Sequence, residues 1–230
     1  MTRAQVLDHG FVELIDLMGE DATVAMDART SRGHQGEPRP WDADAKLTKF
    51  MLDNGHTTPF EMIETKWLCK MPIFVARQWV RHRTASITEF SMRYADAGDL
   101  SAGEIEYYTP LAMGWRHQAV AGNLQASKLD PTDSPHFHVI NREAYKQGMD
   151  AAIHAYRVMI ENGCANEMAR MVLPVSVYTE WVWKIDLHNL LHFLKLRTDS
   201  HAQWEMQQFA LAMVPQLRER LPRLMEVVWP

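Results

Sequence analysis

Two segments of this sequence alternate apolar and polar residues, and this alternation constrains the fold more than any other feature. They are ETKWLCKM (64–71) and VSVYTEWVWKI (175–185). Because successive side chains of a β-strand point to opposite faces, each segment is predicted to be a strand with one apolar face. Cys69 then points into the core as a small apolar residue. Trp181 and Trp183 are expected in the core or at a subunit interface.

Helical spacing dominates much of the remaining chain. Apolar residues recur three and four positions apart, which is the pattern of an amphipathic helix with one face in the core. The segments predicted to be helices are DAKLTKFMLDNG (44–55), IFVARQWVRHR (73–83), residues 139–162, ANEMARMVL (165–173) and DLHNLLHFLKLR (186–197).

Shorter signals suggest further boundaries. TPFE (58–61) has the spacing of a capping box with proline at the first helical position, which predicts a short helical turn. Ser200 is expected to cap a final helix, HAQWEMQQFALAMV, which Pro215 then bends or interrupts. EIEYYTP (104–110) is predicted to be another strand.

These elements predict one α+β domain over residues 1–230, with long helices packed on a small, mostly antiparallel sheet. Strands and helices alternate irregularly, and no linker divides the chain. Residues 111–138 are polar and broken by Gly and Pro. They are predicted to be a surface loop insertion that carries no chemistry.

The charge balance and the cysteine count limit the partners and the compartment. The formal net charge of -5 argues against broad nucleic-acid binding, so a local basic cluster must meet any anionic partner. Two cysteines are too few for a Cys-rich zinc site and do not suggest a disulfide framework, which indicates a reduced, cytoplasmic protein. No apolar run approaches the ~20 residues of a membrane helix, so no membrane span is expected.

The basic cluster lies in RHRTASITEFSMRY (81–94) and its approach. Four arginines and one histidine fall between Arg77 and Arg93, against the single acid Glu89. Arginine binds phosphate and carboxylate because its planar guanidinium donates two parallel hydrogen bonds, and serine hydroxyls can donate to the same oxygens. The run therefore indicates a site for a phosphorylated small molecule. A solvated basic end of a helix is the alternative interpretation.

The same run has the pattern RHR, seven residues, serine, any residue, arginine, which resembles the signature of the flavin-dependent thymidylate synthases. Other segments resemble that family and follow its order from residue 10 to about 210. They are GFVELIDLMG, NGHTTPFE, PIFVARQWVRHR, ARMVLP and LRTDSHAQWEMQQFA.

The resemblance implies an activity and its cofactors. Enzymes of this family methylate dUMP at C5 to form dTMP, with methylenetetrahydrofolate as the carbon donor. FAD relays the carbon and provides the hydride after reduction by NADPH, so the cofactor carries the hard chemistry. The resemblance also implies a homotetramer whose active sites are shared between subunits.

It also implies roles for particular residues. Arg197 is expected to stabilise uracil ionised at N3, and Ser91 is the second catalytic candidate. The residues expected to bind dUMP are Gln78, Arg81, Glu89, Ser91, Arg93, Arg170 and Arg197. The residues expected to bind FAD are Thr58, Arg81, His82, Arg83, Glu89, Asp186, His188 and His192. His56 and His201 are expected near the flavin or folate, and no metal is expected.

Several alternatives stay open at this stage. Ser91 has no paired histidine base at a readable spacing, so a positioning role is favoured over covalent attack, which is not excluded. A metal-dependent hydrolase of a phosphorylated small molecule is the second hypothesis, with Asp186, His188 and His192 as metal ligands. A non-catalytic module that binds nucleotide is the third.

Overall fold

The computed structural model describes residues 3–33, 39–110, 114–118, 127–128 and 134–230. The strands are β1 (Ala4–Val6), β2 (Gly10–Met18), β3 (Glu64–Pro72), β4 (Ser86–Glu89), β5 (His117–Gln118), β6 (Ser127–Lys128) and β7 (Tyr178–Asp186). The α-helices are α1 (Thr23–Thr30), α2 (Trp41–Asp53), α3 (Thr58–Glu61), α4 (Ile73–Trp79), α5 (Pro135–Glu161), α6 (Asn166–Ala169), α7 (Leu187–Arg197), α8 (Trp204–Arg220) and α9 (Pro222–Val228).

The centre of the fold is a five-stranded antiparallel sheet with the order β1-β2-β3-β7-β4. The two alternating segments form its paired central strands, with Cys69 opposite Trp181 and Trp67 opposite Trp183. All four side chains are buried. The predicted α+β class, the small antiparallel sheet and the core position of Cys69 are therefore confirmed.

An aromatic cluster joins the sheet to the helices that cover it. Trp79 at the end of α4 meets Trp181 and Trp183 edge-on, with ring centroids 5.5 and 5.2 Å apart. Its other neighbour is Phe193 of α7, stacked at 5.1 Å. Trp181 and Trp183 thus lie in the core of the chain, which was one of the two positions expected for them; the other was a subunit interface. This packing fixes the end of α4, where the basic run begins.

Strand β4, the middle part of the basic run, lies at the edge of the sheet. It pairs with β7 on one side only, and all four of its residues are exposed. Ser86 lies opposite Lys184 and Glu89 lies opposite Trp181. Since a strand rises about 3.3 Å per residue, β4 separates the start of the run from its end by roughly 10 Å.

A second apolar cluster lies around the long helix α5, where Met149 and Tyr156 are buried. Helix α5 begins at Pro135, within the predicted 111–138 loop, because Ser134 caps it by accepting a hydrogen bond from the Phe137 amide. Gly163 follows the helix in the left-handed region, as its position predicted. No helix in the described ranges is both long and apolar enough to cross a bilayer.

Two local predictions, for residues 104–110 and for the capping box at TPFE, were wrong. Residues 104–110 form no strand, and only one bridge joins Tyr107 to Val177. The capping box at Thr58 and Glu61 does not form, because Thr57 occupies the cap position of α3 and makes no side-chain bond there.

The C-terminal helices also differ from the prediction. Helix α8 starts at Trp204 after Gln203, so Ser200 does not cap it. It continues without interruption through Pro215 to Arg220, and the apolar residues of its inner face hold it against β2. Helix α9 and strands β1, β2, β4, β5 and β6 were not predicted. Strands of two to four residues and a proline-initiated helix carry little periodicity. Strand β2 is long and largely buried, but three consecutive buried residues at its start and a register shift between Leu14 and Asp16 break its alternation.

Candidate active site

A cleft of about 480 Å³ lies where the loop after α4, the end of β7 and helix α7 meet. We call it the arginine cleft. It is lined by Arg81, His82, Arg83, Thr84, Ile185, Asn189, His192, Leu196 and Arg197. Five of the residues predicted for the site are therefore neighbours in one chain, although α7 follows the RHR triplet by more than a hundred residues.

Arg197 at the end of α7 is held from two sides. Its Nε donates to His82 Nε2 at 3.0 Å, and its Nη2 donates to the Gln78 carbonyl at 3.3 Å. Burial lowers the pKa of Arg197, because removing a guanidinium from water disfavours its charged form. The cleft thus contains a partly desolvated cation in a fixed orientation.

His82 supplies the acceptor that orients this cation. Its pKa is lowered from 6.5 to about 4 by burial first, and then by the charges of Arg197 and His192. The ring is therefore neutral at physiological pH. Because its Nε2 accepts from Arg197, the remaining proton of the neutral ring lies on Nδ1.

This geometry predicts acid sensitivity. In the unfolded chain His82 titrates at its ordinary value, and in the folded chain it resists protonation, so the unfolded chain binds more protons between about pH 4 and 6.5. Stability should fall as the pH drops through that window. Allowing for solvent screening of a half-buried ring, His82 should account for about 1–2 kcal/mol of the loss.

The measurement is the urea unfolding free energy at pH 7 and pH 5 without flavin or nucleotide. His82→Asn keeps a side-chain acceptor for Arg197 but does not titrate, so its loss between the two pH values should be smaller by that amount. His201→Asn is the matched control, because His201 is exposed and pairs with Asp199 at 2.8 Å outside the cleft. Equal losses in the wild type and His82→Asn would contradict the prediction.

The other predicted flavin contacts differ in whether their side chains are free to bind a ligand. Arg81 and Arg83 line the cleft, and neither forms an ion pair with any described carboxylate. The Asp186 carboxylate caps α7, with one oxygen accepting from the Asn189 amide at 2.9 Å and the other from its side chain at 2.8 Å. Both Asp186 oxygens are therefore already hydrogen-bonded within the chain, whereas the His192 side chain lines the cleft.

The metal hypothesis needed Asp186, His188 and His192 as ligands. No group of three or more His, Cys, Asp or Glu side chains suited to a metal ion occurs in the described residues. The donor geometry at the start of α7 therefore gives the hydrolase hypothesis no support.

A second surface lies beyond β4. The Glu89 carboxylate accepts from the Thr179 hydroxyl at 2.8 Å, and Arg93 pairs with Glu167 at 3.2 Å. The Ser91 hydroxyl accepts only the Arg93 amide, at 3.4 Å, among described groups. Arg170 begins the 3-10 turn after α6, the helix that carries Glu167. Several predicted dUMP ligands thus lie together, but at the far end of β4 from the RHR triplet.

A third surface is a cleft of about 980 Å³ beside α1 and α2, which we call the α1–α2 cleft. Thr58 and His56 line it, and the His56 ring stacks on Phe50 with centroids 6.1 Å apart. The cleft is also lined by Arg29 of α1, by Arg32 just after α1 and by Arg39 just before α2. Sequence reasoning missed these arginines because they form no motif.

Comparisons with known proteins identify relatives of this chain. The family model described as thymidylate synthase complementing protein matches residues 13–223. A flavin-dependent thymidylate synthase of Thermus thermophilus is 46% identical over 220 residues, which cover 94% of this chain and 74% of the relative. That of Wolbachia pipientis wMel is 40% identical over 225 residues, covering 95% and 73%.

Two solved structures share the fold. They are crystal structures of the UMP/dUMP methylase PolB from Streptomyces cacaoi, bound with 5-Br UMP and with 5-Br dUMP. Both are 27% identical to this chain, with TM-scores of 0.81 and 0.82. The alignments cover 98% and 97% of this chain and 96% of each methylase chain.

Proposed function

This chain belongs to the flavin-dependent thymidylate synthases and methylates dUMP, and we propose that the arginine cleft is where its reaction is organised. The observation that carries this proposal is the fixed, partly desolvated guanidinium of Arg197. A cation of that kind stabilises negative charge more strongly than a solvated one, because less water screens it.

In the proposed mechanism Arg197 faces the uracil ring and stabilises the anion formed when N3 is ionised. That ionisation raises electron density at C5, the carbon to be methylated. Neutral His82 and the Gln78 carbonyl hold the guanidinium in place before substrate arrives, so little reorganisation is needed as charge develops. Ser91 then positions substrate and does not attack it, since no described histidine accepts from its hydroxyl.

The donor set of the cleft fits a flavin dinucleotide. Arg81 and Arg83 are exposed cations suited to a pyrophosphate, and His82 and His192 border the same space. When bound, FAD would supply the carbon relay and the hydride. Glu89 and Asp186 stay proposed flavin contacts that are less available, because Glu89 accepts from Thr179 and Asp186 already caps α7. His188 also stays a proposed flavin contact, although it does not line the arginine cleft.

No cysteine in this chain is suited to act as the nucleophile. Burial raises the pKa of the Cys69 thiol well above its ordinary value, so the thiolate is strongly disfavoured. Cys164 is half-buried beside the end of α5. Both thiols are free, and a cytoplasmic setting stays a prediction.

We propose that several copies of this chain build each active site, as a homotetramer would. The arginine cleft, the surface beyond β4 and the α1–α2 cleft are separate on one chain, although each carries residues predicted for the same site. Exposed Met171 and Val175 lie close to Arg170 in the sequence and form apolar surface suited to a subunit contact. Sedimentation velocity tests this, because a single-chain mass in active protein would contradict it.

Arg93 is proposed to bind the dUMP phosphate with both of its guanidinium edges. Arg93→Lys should weaken dUMP binding about tenfold, because a planar fork becomes a point charge. Glu167→Gln should tighten binding, since it frees Arg93 from a competing ion pair. Calorimetric titration with dUMP measures both effects. Arg77→Lys, an exposed arginine on α4, is the control, and unchanged affinity in Arg93→Lys would remove Arg93 from the phosphate site.

The co-substrates are proposed to be methylenetetrahydrofolate and NADPH, with folate near His56 in the α1–α2 cleft. His201, which follows α7, stays a proposed flavin or folate contact. Tritium release from dUMP labelled at C5 tests the whole assignment. Release that requires FAD, methylenetetrahydrofolate and NADPH together would support it. No release from folded protein loaded with flavin would contradict it.

A further inference from the structure

A chain of hydrogen-bonded polar side chains, half-buried at Gln78 and buried at Glu205, runs behind Gln78 and was not expected from the sequence. The Gln78 amide nitrogen donates to the Gln203 side-chain oxygen. The Gln203 nitrogen donates to Glu205 Oε2 at 3.0 Å. The other Glu205 oxygen accepts from Arg116 and from the Tyr108 hydroxyl, the latter at 3.2 Å. We call these residues the glutamine relay.

The Glu205 end of the relay is deeply enclosed. Glu205 is 2% exposed, and the Arg116 side chain that pairs with it is 14% exposed. Arg116 comes from the predicted 111–138 loop and also lies over the Trp204 ring, 5.5 Å from its centroid. Burial and the Glu205 charge raise the pKa of the Tyr108 hydroxyl, which keeps it protonated as a donor.

The charges of this enclosed end decide which way each amide points. A carboxylate only accepts hydrogen bonds, so Gln203 must turn its NH₂ group toward Glu205. Its oxygen is then left for Gln78, which must turn its own NH₂ group toward Gln203. The Gln78 oxygen therefore points away from the relay. No described group donates to that oxygen.

We propose that Glu205, acting through Gln203, is a positioning residue that makes Gln78 present a hydrogen-bond acceptor to the nucleotide. This inference rests on the proposed function, in which Gln78 contacts dUMP. An outward oxygen suits a donor group of the nucleotide and does not suit its phosphate, which offers only acceptors at neutral pH. The nucleotide has two such donors in the bound ground state, the 3′-hydroxyl and the N3–H that is present before N3 is ionised.

Glu205→Gln tests the proposal because it should reverse the relay. Arg116 can only donate, so it bonds to the single oxygen of the new amide, and the Tyr108 hydroxyl can donate to the same oxygen. Its NH₂ group then faces Gln203, both glutamines turn over, and Gln78 presents NH₂ outward. Gln203→Met cuts the relay and leaves the Gln78 amide free to turn either way. The double variant, Glu205→Gln with Gln203→Met, has the new amide at position 205 but no hydrogen-bonded path from that amide to Gln78.

The experiment measures dissociation constants for dUMP, for its 2′,3′-dideoxy analogue and for its N3-methyl analogue. Wild type should prefer dUMP over the analogue that lacks the donor by about 3- to 10-fold, the range for one neutral hydrogen bond. Glu205→Gln should lose this preference, and Gln203→Met and the double variant should keep it. The analogue whose discrimination is lost identifies the donor.

A purely structural role predicts a different order. Gln203→Met leaves a buried carboxylate oxygen without its partner, so structure alone would make it at least as damaging as Glu205→Gln. Tyr108→Phe is the matched control, because it removes a bond to the same carboxylate without changing its acceptor character. Its preference should equal that of wild type.

Three results would overturn the proposal. The first is a wild type that binds dUMP and both analogues equally well. The second is a Glu205→Gln variant that keeps the wild-type preference for dUMP. The third is a double variant that does not regain this preference. If Glu205→Gln fails to fold, Gln78→Met at the half-buried end decides the matter, because retained preference there would exclude Gln78 as the acceptor. Failure of the wild type to bind dUMP at all would overturn the proposed function.

Discussion

Arg197→Ala should lower kcat about 10²- to 10³-fold while changing the affinity for FAD by less than about threefold. The guanidinium is proposed to interact with a charge that exists fully only after N3 is ionised. Its removal therefore costs more in the transition state than in the bound ground state. Arg81 and Arg83 remain to hold the flavin, so loading should persist.

The measurement combines tritium release from labelled dUMP with a flavin fluorescence titration of the same preparation. Lys195→Ala is the matched control, because Lys195 is an exposed cation two positions earlier on α7 that does not line the cleft. It should retain nearly full kcat. Parallel losses of kcat and FAD affinity in Arg197→Ala would mean that Arg197 serves mainly to hold the structure of the cleft.

Asp44→Ala should destabilise the chain by about 3–5 kcal/mol, the range for removing one partner of a buried ion pair. Asp44 of α2 and Arg29 of α1 pair with side chains only 3% and 7% exposed. Arg29 Nη1 already lacks a partner among the described residues in this enclosed position. Loss of Asp44 would leave the guanidinium buried, charged and without its compensating carboxylate.

Urea unfolding measures this effect, and the same helix supplies the control. Asp53 pairs with Lys49 at 3.0 Å, but both side chains are more than half exposed, so Asp53→Ala should cost about 0.5 kcal/mol or less. Replacing both buried partners, as Arg29→Met with Asp44→Leu, should recover most of the loss. A loss in Asp44→Ala no larger than that in Asp53→Ala would refute the prediction.

Local pattern was enough to predict much of the fold. The alternation around Trp67 and Trp181 identified the two central strands, because side-chain direction in a strand depends only on position along the chain. The leucine stripe identified α7 for the same reason at helical spacing. Strand β4 escaped prediction because it is exposed on both faces and carries no apolar alternation.

The candidate site, like the fold, could be predicted from the sequence only in part. The sequence by itself determined the types of residue that the chemistry needs, since an arginine-rich run with serines is chemically suited to an anionic ligand wherever it lies. It also determined the family, through motifs spread along most of the chain. These properties belong to residues and their local spacing.

Only the tertiary structure decided which of these residues meet. Arg197 reaches His82 because Trp79 and Phe193 pack together and align the ends of α4 and α7. Edge strand β4 separates Ser91 and Arg93 from the RHR triplet although they are neighbours in the sequence. Long-range packing sets such distances, and the lowered pKa of His82 follows from them, so no local pattern could have indicated either.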